Sequence, residues 1–304
     1  MKLNNKGFAV STFMYMLLLL AIILILATLA ILSSRRMILD RQKNKALENI
    51  SQNQNPICEA VNGIKSLELG TEYRCEVKDG TFFNFYVLST QGSKVNLIMD
   101  RNICEDGTTN YSNTNNYCNY AWHIDPNNSQ LNDNTKGPDT ALNVLYNATK
   151  SWNSVNNLTF NFEDTGNKEN SNYGYVSLKA SNGIGVLQQN NGDSVTIGSS
   201  QEPLKARLPQ VSELTAAGAN CVENEEGTCE AWLVQNLENT EIEKYQNNSN
   251  IETTLGYWIL NSSSESSQQA YSIDSNGFFS SYYANIVGDT GIRPVITLPK
   301  SMLK

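Results

Sequence analysis

The sequence predicts an α+β protein: one N-terminal transmembrane helix, then an antiparallel β-rich ectodomain with two or three short helices. Three observations lead there. Phe13–Leu32 is an unbroken run of twenty uncharged residues, FMYMLLLLAIILILATLAIL. From Glu72 the hydrophobic pattern changes to period two, through EYRCEV, TFFNFYVLST and KVNLIMDRNI. Between Pro138 and Val155, residues Ala141, Leu145, Ala148, Trp152 and Val155 recur at helical spacing.

The apolar run comes first. At about 1.5 Å rise per residue, twenty helical residues span roughly 30 Å, the thickness of a hydrocarbon core. It carries no polar stripe, as a buried soluble helix would. It exceeds a signal-peptide core and lacks an A-x-A-like site, so it is expected to stay as a single-pass anchor in the lipid bilayer. Lys2 and Lys6 precede it and Arg35, Arg36, Arg41, Lys43 and Lys45 follow it, so charge alone would leave the body in the cytoplasm.

The cysteines argue the other way. Cys58, Cys75, Cys104, Cys118, Cys221 and Cys229 all lie beyond the span. No C-x-x-C occurs and His123 is the one histidine, so disulfides are favoured over zinc, and disulfides imply an oxidising compartment. Six cysteines allow fifteen connectivities; proximity selects Cys58–Cys75, Cys104–Cys118 and Cys221–Cys229.

Charge is unevenly spread. Residues 1–50 hold seven Lys/Arg against two Asp/Glu, whereas residues 51–304 hold 15 against 28, a net of −13. An acidic body repels phosphate backbones and anionic headgroups, which argues against nucleic acid and leaves the N-terminal segment to meet the membrane.

The leader MKLNNKG followed by FAVSTFMYM resembles the type IV prepilin N-terminus, with Lys6-Gly7-Phe8 at the junction. The resemblance covers about the first 35 residues. It implies cleavage after Gly7 and methylation of Phe8, and it places the body outside the cytoplasm. The family usually carries Glu at the fifth mature position, where this chain has Thr12. Thr12 cannot pair with a neighbouring subunit's terminal amine in an apolar filament core, which points away from a major filament subunit.

Beyond the anchor, residues 33–55 read as a helical stalk, broken by SQNQNP at 51–56. Lys78-Asp79-Gly80 and Gln91-Gly92-Ser93 are hairpin signals, so 56–118 is expected to form a β-meander subdomain. Short helices are expected at Val211–Ala217, closed by Gly218, and at Glu230–Leu237 with Trp232 and Leu237 inward. Strands return at Gly256–Leu260, Ala270–Asp274, Phe278–Ala284 and Ile292–Leu298, with a Ser275-Asn276-Gly277 turn between the middle two.

Residues Arg207-Leu208-Pro209 and Glu213 carry a second resemblance. R-L-P-x-x-x-E opening a short helix is similar to an element of formylglycine-generating-enzyme-like domains, which have a C-type-lectin-like fold. GYW…AYSIDSNG…GIRPVITL also resembles a surface-protein module of gut Firmicutes, often joined to a prepilin-like N-terminus. Together these cover roughly residues 119–304 and imply a C-type-lectin-like domain there.

Catalysis does not carry across. Enzymes of that group use a late cysteine pair or clustered histidines, whereas here no Cys follows Cys229 and His123 stands alone beside Trp122, as a structural histidine does. HIDPNNSQLNDN (123–134) is oxygen-rich but fails as an EF-hand loop, with Gln130 where Gly is needed at the sixth position. No cofactor or metal is expected. The expectation is a non-catalytic, extracytoplasmic recognition or adhesion module on a pilin-like anchor, binding a surface protein or glycan. The alternative is a minor type IV pilin or pseudopilin subunit of a filament or secretion system, assembled by pilus machinery.

One charge stands out. Arg293 lies in the apolar run GIRPVITL, where alternation sets Arg293, Val295 and Thr297 against Ile292, Pro294, Ile296 and Leu298. On a central strand its guanidinium needs a carboxylate or several carbonyls. Glu213 is the expected partner, as a structural ion pair, and Asp289 the second choice.

Overall fold

The computed structural model describes residues 14–23, 56–109, 118–125, 134–164, 176–189, 192–219, 230–236, 256–263, 266–287 and 290–304. Residues 14–23 are helical and exposed and form α1. Ten residues do not span a bilayer, and no helix among the described residues is long and apolar enough to cross one. The rest of the Phe13–Leu32 run, the stalk 33–55 and the leader with Gly7, Phe8 and Thr12 lie outside the described residues. The chain divides into two compact units, Met1–Gln54 and Asn55–Lys304.

The second unit is β-rich and built on antiparallel sheets with short helices. Its first four strands are β1 (Cys58–Ala60), β2 (Glu72–Lys78), β3 (Thr81–Gln91) and β4 (Lys94–Met99). The expected meander is there because its turns are local: Gly80 takes φ +70°, and Gly92 takes φ +56° in the two-residue turn between Gln91 and Lys94. Helix α2 (Asp139–Thr149) buries Ala141, Leu145 and Ala148 as the spacing predicts. It ends before Trp152 and Val155, which stay buried because two tight turns, Trp152 N–H to Thr149 O and Val155 N–H to Trp152 O, keep them inward. Trp152 meets the Phe85 ring edge-on at 6.2 Å.

A second sheet occupies a stretch that sequence reasoning left unassigned: β5 (Phe160–Glu163), β6 (Ser177–Ser181), β7 (Ile184–Gln188) and β8 (Ser194–Ile197), paired in that order. Its signal was present. Asn182 and Gly183 sit at φ +49° and +82° between Ser181 and Ile184, the positive-φ pair that a type I′ hairpin needs.

After β9 (Ala206–Arg207) come α3 (Val211–Ala216) and α4 (Ala231–Val234). In α4 the fully buried residue is Leu233, with Trp232 half-buried, and Leu237 lies outside the described residues. Then β10 (Gly256–Ser262), β11 (Gln269–Ile273) and β12 (Phe279–Tyr283) follow as a meander. Asp274 Oδ1 accepts the N–H groups of Asn276 and Phe278, and Gly277 adopts φ +87°, so the predicted Ser275-Asn276-Gly277 turn closes β11 onto β12.

Two expectations are corrected by the last strands. Ile292–Leu298 is not one strand: β13 (Thr290–Gly291) pairs in parallel with β10, whereas β14 (Val295–Pro299) pairs with β4 and β9. Pro294 lacks a ladder donor, and the chain changes sheets there. The boundary at 118/119 also dissolves. The six-stranded sheet runs β1-β2-β3-β4-β14-β9, so its meander and its C-terminal strands share one ladder, and 56–118 is no separate subdomain.

That sheet has apolar residues on both faces. Phe85, Val87, Leu97, Met99 and Ile296 enter one core with Trp122, Trp152 and the α2 stripe. Tyr86, Leu88, Ile98 and Val295 enter a second with Leu214, Leu233, Tyr257 and Ile259. A strand between two cores has no solvated face, which decides what happens to the arginines.

Candidate recognition surface and the buried polar residues behind it

β12 forms one edge of the β12-β11-β10-β13 sheet. Tyr282 and Tyr283 are 42% and 43% exposed, and in the turn that follows Ile286 and Val287 are 45% and 55% exposed. From Ser275 to Val287 the sequence SNGFFSSYYANIV contains no charged residue, on a body of net −13. A neutral, tyrosine-bearing patch on an acidic protein offers large, stiff side chains for contact at little entropic cost.

The patch is tied to the core through His123. Its main-chain N–H donates to Ala284 O at 2.9 Å, directly after β12. Its ring, 3% exposed as a residue, sets Nδ1 2.5 Å from Asp139 Oδ1 at the start of α2. The same carboxylate oxygen accepts the Thr140 N–H at 2.6 Å. His123 Nε2 is buried and meets no hydrogen-bond partner among the described residues. The Asp139 carboxylate thus fixes the orientation of the His123 ring through Nδ1. Among the described residues no group of three His, Cys, Asp or Glu could hold a metal, and residues 126–133 of the oxygen-rich loop lie outside them.

The predicted Arg293–Glu213 ion pair is corrected. Glu213 belongs to Arg207, whose Nη1 donates to Oε2 at 2.7 Å and Nη2 to Oε1 at 2.6 Å. Ser89 Oγ and Asn96 Nδ2 donate to Oε1 as well, at 2.9 and 3.1 Å. Burial alone would raise the Glu213 carboxyl, but the Arg207 charge and these hydrogen bonds outweigh it and hold the carboxyl below its ordinary range. Arg207 also lies over the Phe160 ring, 4.4 Å from its centroid.

Arg293 is fully buried and takes main-chain carbonyls instead. Nε donates to Met99 O at 2.5 Å, Nη2 to Trp232 O at 3.0 Å and Nη1 to Leu233 O. Its guanidinium lies 5.1 Å from the centre of the Tyr257 ring, and burial pushes that phenol up to about 12. Asp289 lies outside the described residues. The signal for the true pair was in hand, because Arg207 and Glu213 open and close the one R-L-P-x-x-x-E motif.

Two cysteine pairs are joined as proximity predicts. Cys58 and Cys75 are register partners across β1 and β2, with Cα atoms 4.0 Å apart. Cys104 and Cys118 are bonded with Cα atoms 4.9 Å apart. Cys221 and Cys229, like the processing residues Gly7 and Phe8, lie outside the described residues. No family model, no curated protein and no solved structure matches this chain.

Proposed function

We propose that this chain is a membrane-anchored, extracytoplasmic recognition module without catalytic activity, and that its body is a C-type-lectin-like domain. The observation that carries the reading is the uncharged, exposed surface from Tyr282 to Val287, presented by a scaffold with two buried cores. The two disulfides support an oxidising location. The charge-free run Phe13–Leu32 supports the anchor.

The test uses the full chain on whole cells. Externally added protease should digest the body, and a Tyr282→Ser/Tyr283→Ser/Ile286→Asn variant should lose at least tenfold in attachment to immobilised surface proteins or glycans. A body protected from protease, or attachment unaffected by the triple change, sinks the reading. The second reading, a minor type IV pilin or pseudopilin, rests on Lys6-Gly7-Phe8. It requires the protein to leave with sheared filaments rather than stay with membranes.

A further inference from the structure

We infer that β12 is an acceptor strand: its outer edge, which no strand among the described residues pairs, takes up an extended, charge-free segment of another protein by main-chain pairing, which adds a fifth strand to the β12-β11-β10-β13 sheet. This deepens the recognition reading and rests on it.

The direction of the main chain comes first. β12 pairs with β11 in the register Gln269↔Tyr283 to Ile273↔Phe279. One residue beyond, Ala284 N–H donates to Gln268 O at 2.9 Å. At the other end Asp274 N–H donates to Phe278 O at 3.0 Å. Antiparallel ladders alternate, so Ser280 and Tyr282 also turn their N–H and C=O groups toward β11. Phe279, Ser281 and Tyr283 therefore turn theirs outward. Ile286 N–H occupies Tyr283 O. The outward N–H groups of Phe279, Ser281 and Tyr283 and the carbonyls of Phe279 and Ser281 have no protein partner among the described residues.

Other sheet edges are guarded. β1 is covered by the chain's last residues, with Ala60 N–H to Lys304 O at 3.0 Å and Lys304 N–H to Cys58 O at 2.9 Å. β9 and β13 are two residues long. β5 carries the exposed Glu163, and β8 follows the exposed Asp193 and packs against α2. β12 has five residues, FSSYY, with no charge and no proline, and its ladder with β11 runs without a register shift. Natural proteins disarm open edges with such devices, and a strand lacking all of them is open to pairing.

The side chains define the occupant. Tyr283 and Tyr282 project to opposite faces of the sheet, so they flank an incoming strand from both sides and contact its alternate side chains. With no charged residue between Ser275 and Val287 and a body of net −13, an acidic segment is repelled and a basic one finds no carboxylate in this stretch to pair with, which leaves a neutral one as the best match to the strand. The same charge opposes edge-to-edge pairing of two copies.

The test is fluorescence anisotropy on the full chain in neutral detergent micelles. The probe is a labelled, end-capped hexapeptide alternating threonine and valine. It should bind, and N-methylating its alternate amides, or replacing its threonines by glutamates, should weaken binding at least tenfold. Ser281→Pro removes an outward donor at an edge position that tolerates proline, and Ser281→Lys adds a charge with the backbone intact. Both should abolish binding while the thermal midpoint holds. No binding by the probe, or equal binding of the N-methylated form, overturns the proposal. So does an edge-dependent dimer that leaves the probe unbound, or binding of a neutral hexasaccharide in its place. If cell-surface attachment falls with Tyr282 and Tyr283 but persists in Ser281→Pro, the acceptor strand is overturned and the recognition reading stands.

Discussion

Arg207 closes on Glu213 with both ends of its guanidinium, at 2.7 and 2.6 Å, across six residues of one short motif. Arg207 is fully buried and the Glu213 side chain is 9% exposed, so neither charge has water to fall back on. Arg207→Ala leaves a buried carboxylate without its cation, held by neutral donors such as Ser89 and Asn96, and should cost about 3–5 kcal/mol. The double change Arg207→Met/Glu213→Leu should cost clearly less. Urea unfolding of the four members of that cycle measures the coupling; additive costs would refute it.

The same pair predicts a pH dependence. The folded Glu213 carboxyl is held below its unfolded value of about 4.3, so its contribution is complete above that pH. It is lost as pH falls through the lower folded value. The urea midpoint should stay level near neutrality and drop below about pH 4, and Glu213→Gln should make the acid slope shallower. Equal slopes in both proteins would remove Glu213 from the account.

Arg293 pins α4 to the sheet through the carbonyls of Trp232 and Leu233, while it also caps Met99 O on β4. Arg293→Ala removes the donor from buried carbonyls and should cost about 1–3 kcal/mol for each one left unpaired. Arg293→Lys, with a compact ammonium in place of a planar fork, should recover only part. Hydrogen exchange should quicken at 231–236 and remain slow in β2 and β3. Uniform exchange across the body would show that Arg293 supports the core in general and not α4.

Cys58–Cys75 ties β1, the first strand of the body, to β2. Replacing both cysteines by alanine should cost about 3 kcal/mol for a loop of this length. A non-reducing peptide map should show this bond and Cys104–Cys118, with Cys221–Cys229 as the third. Cross-pairing of Cys221 or Cys229 with another cysteine contradicts the proximity rule.

The processing expectation concerns Gly7 and Phe8. Intact-mass analysis of native protein should give a chain beginning at Phe8 with one added methyl group. Retention of Met1 would reduce the N-terminus to a plain anchor.

What the sequence determined by itself is the locally encoded part. The hairpins of β2, β3 and β4 follow from alternation and from glycines at the turns, both readable within ten residues. The α2 stripe and the Cys58–Cys75 bond are local in the same sense. The Asn182-Gly183 hairpin is equally local, and its turn pair is legible in the sequence.

Only the tertiary structure decided the rest. Alternation in GIRPVITL tells which residues share a face, but not that both faces are buried or that Pro294 marks a change of sheet. Arg293 meets Trp232 and Leu233 across some sixty positions of chain, and Val295 meets Ile98 across nearly two hundred. Such contacts reward a guanidinium through main-chain carbonyls, which every residue possesses and no side-chain pattern announces. The place of β12 at a sheet edge among the described residues is decided in the same way, because whether a strand is central or marginal depends on which distant strand arrives beside it.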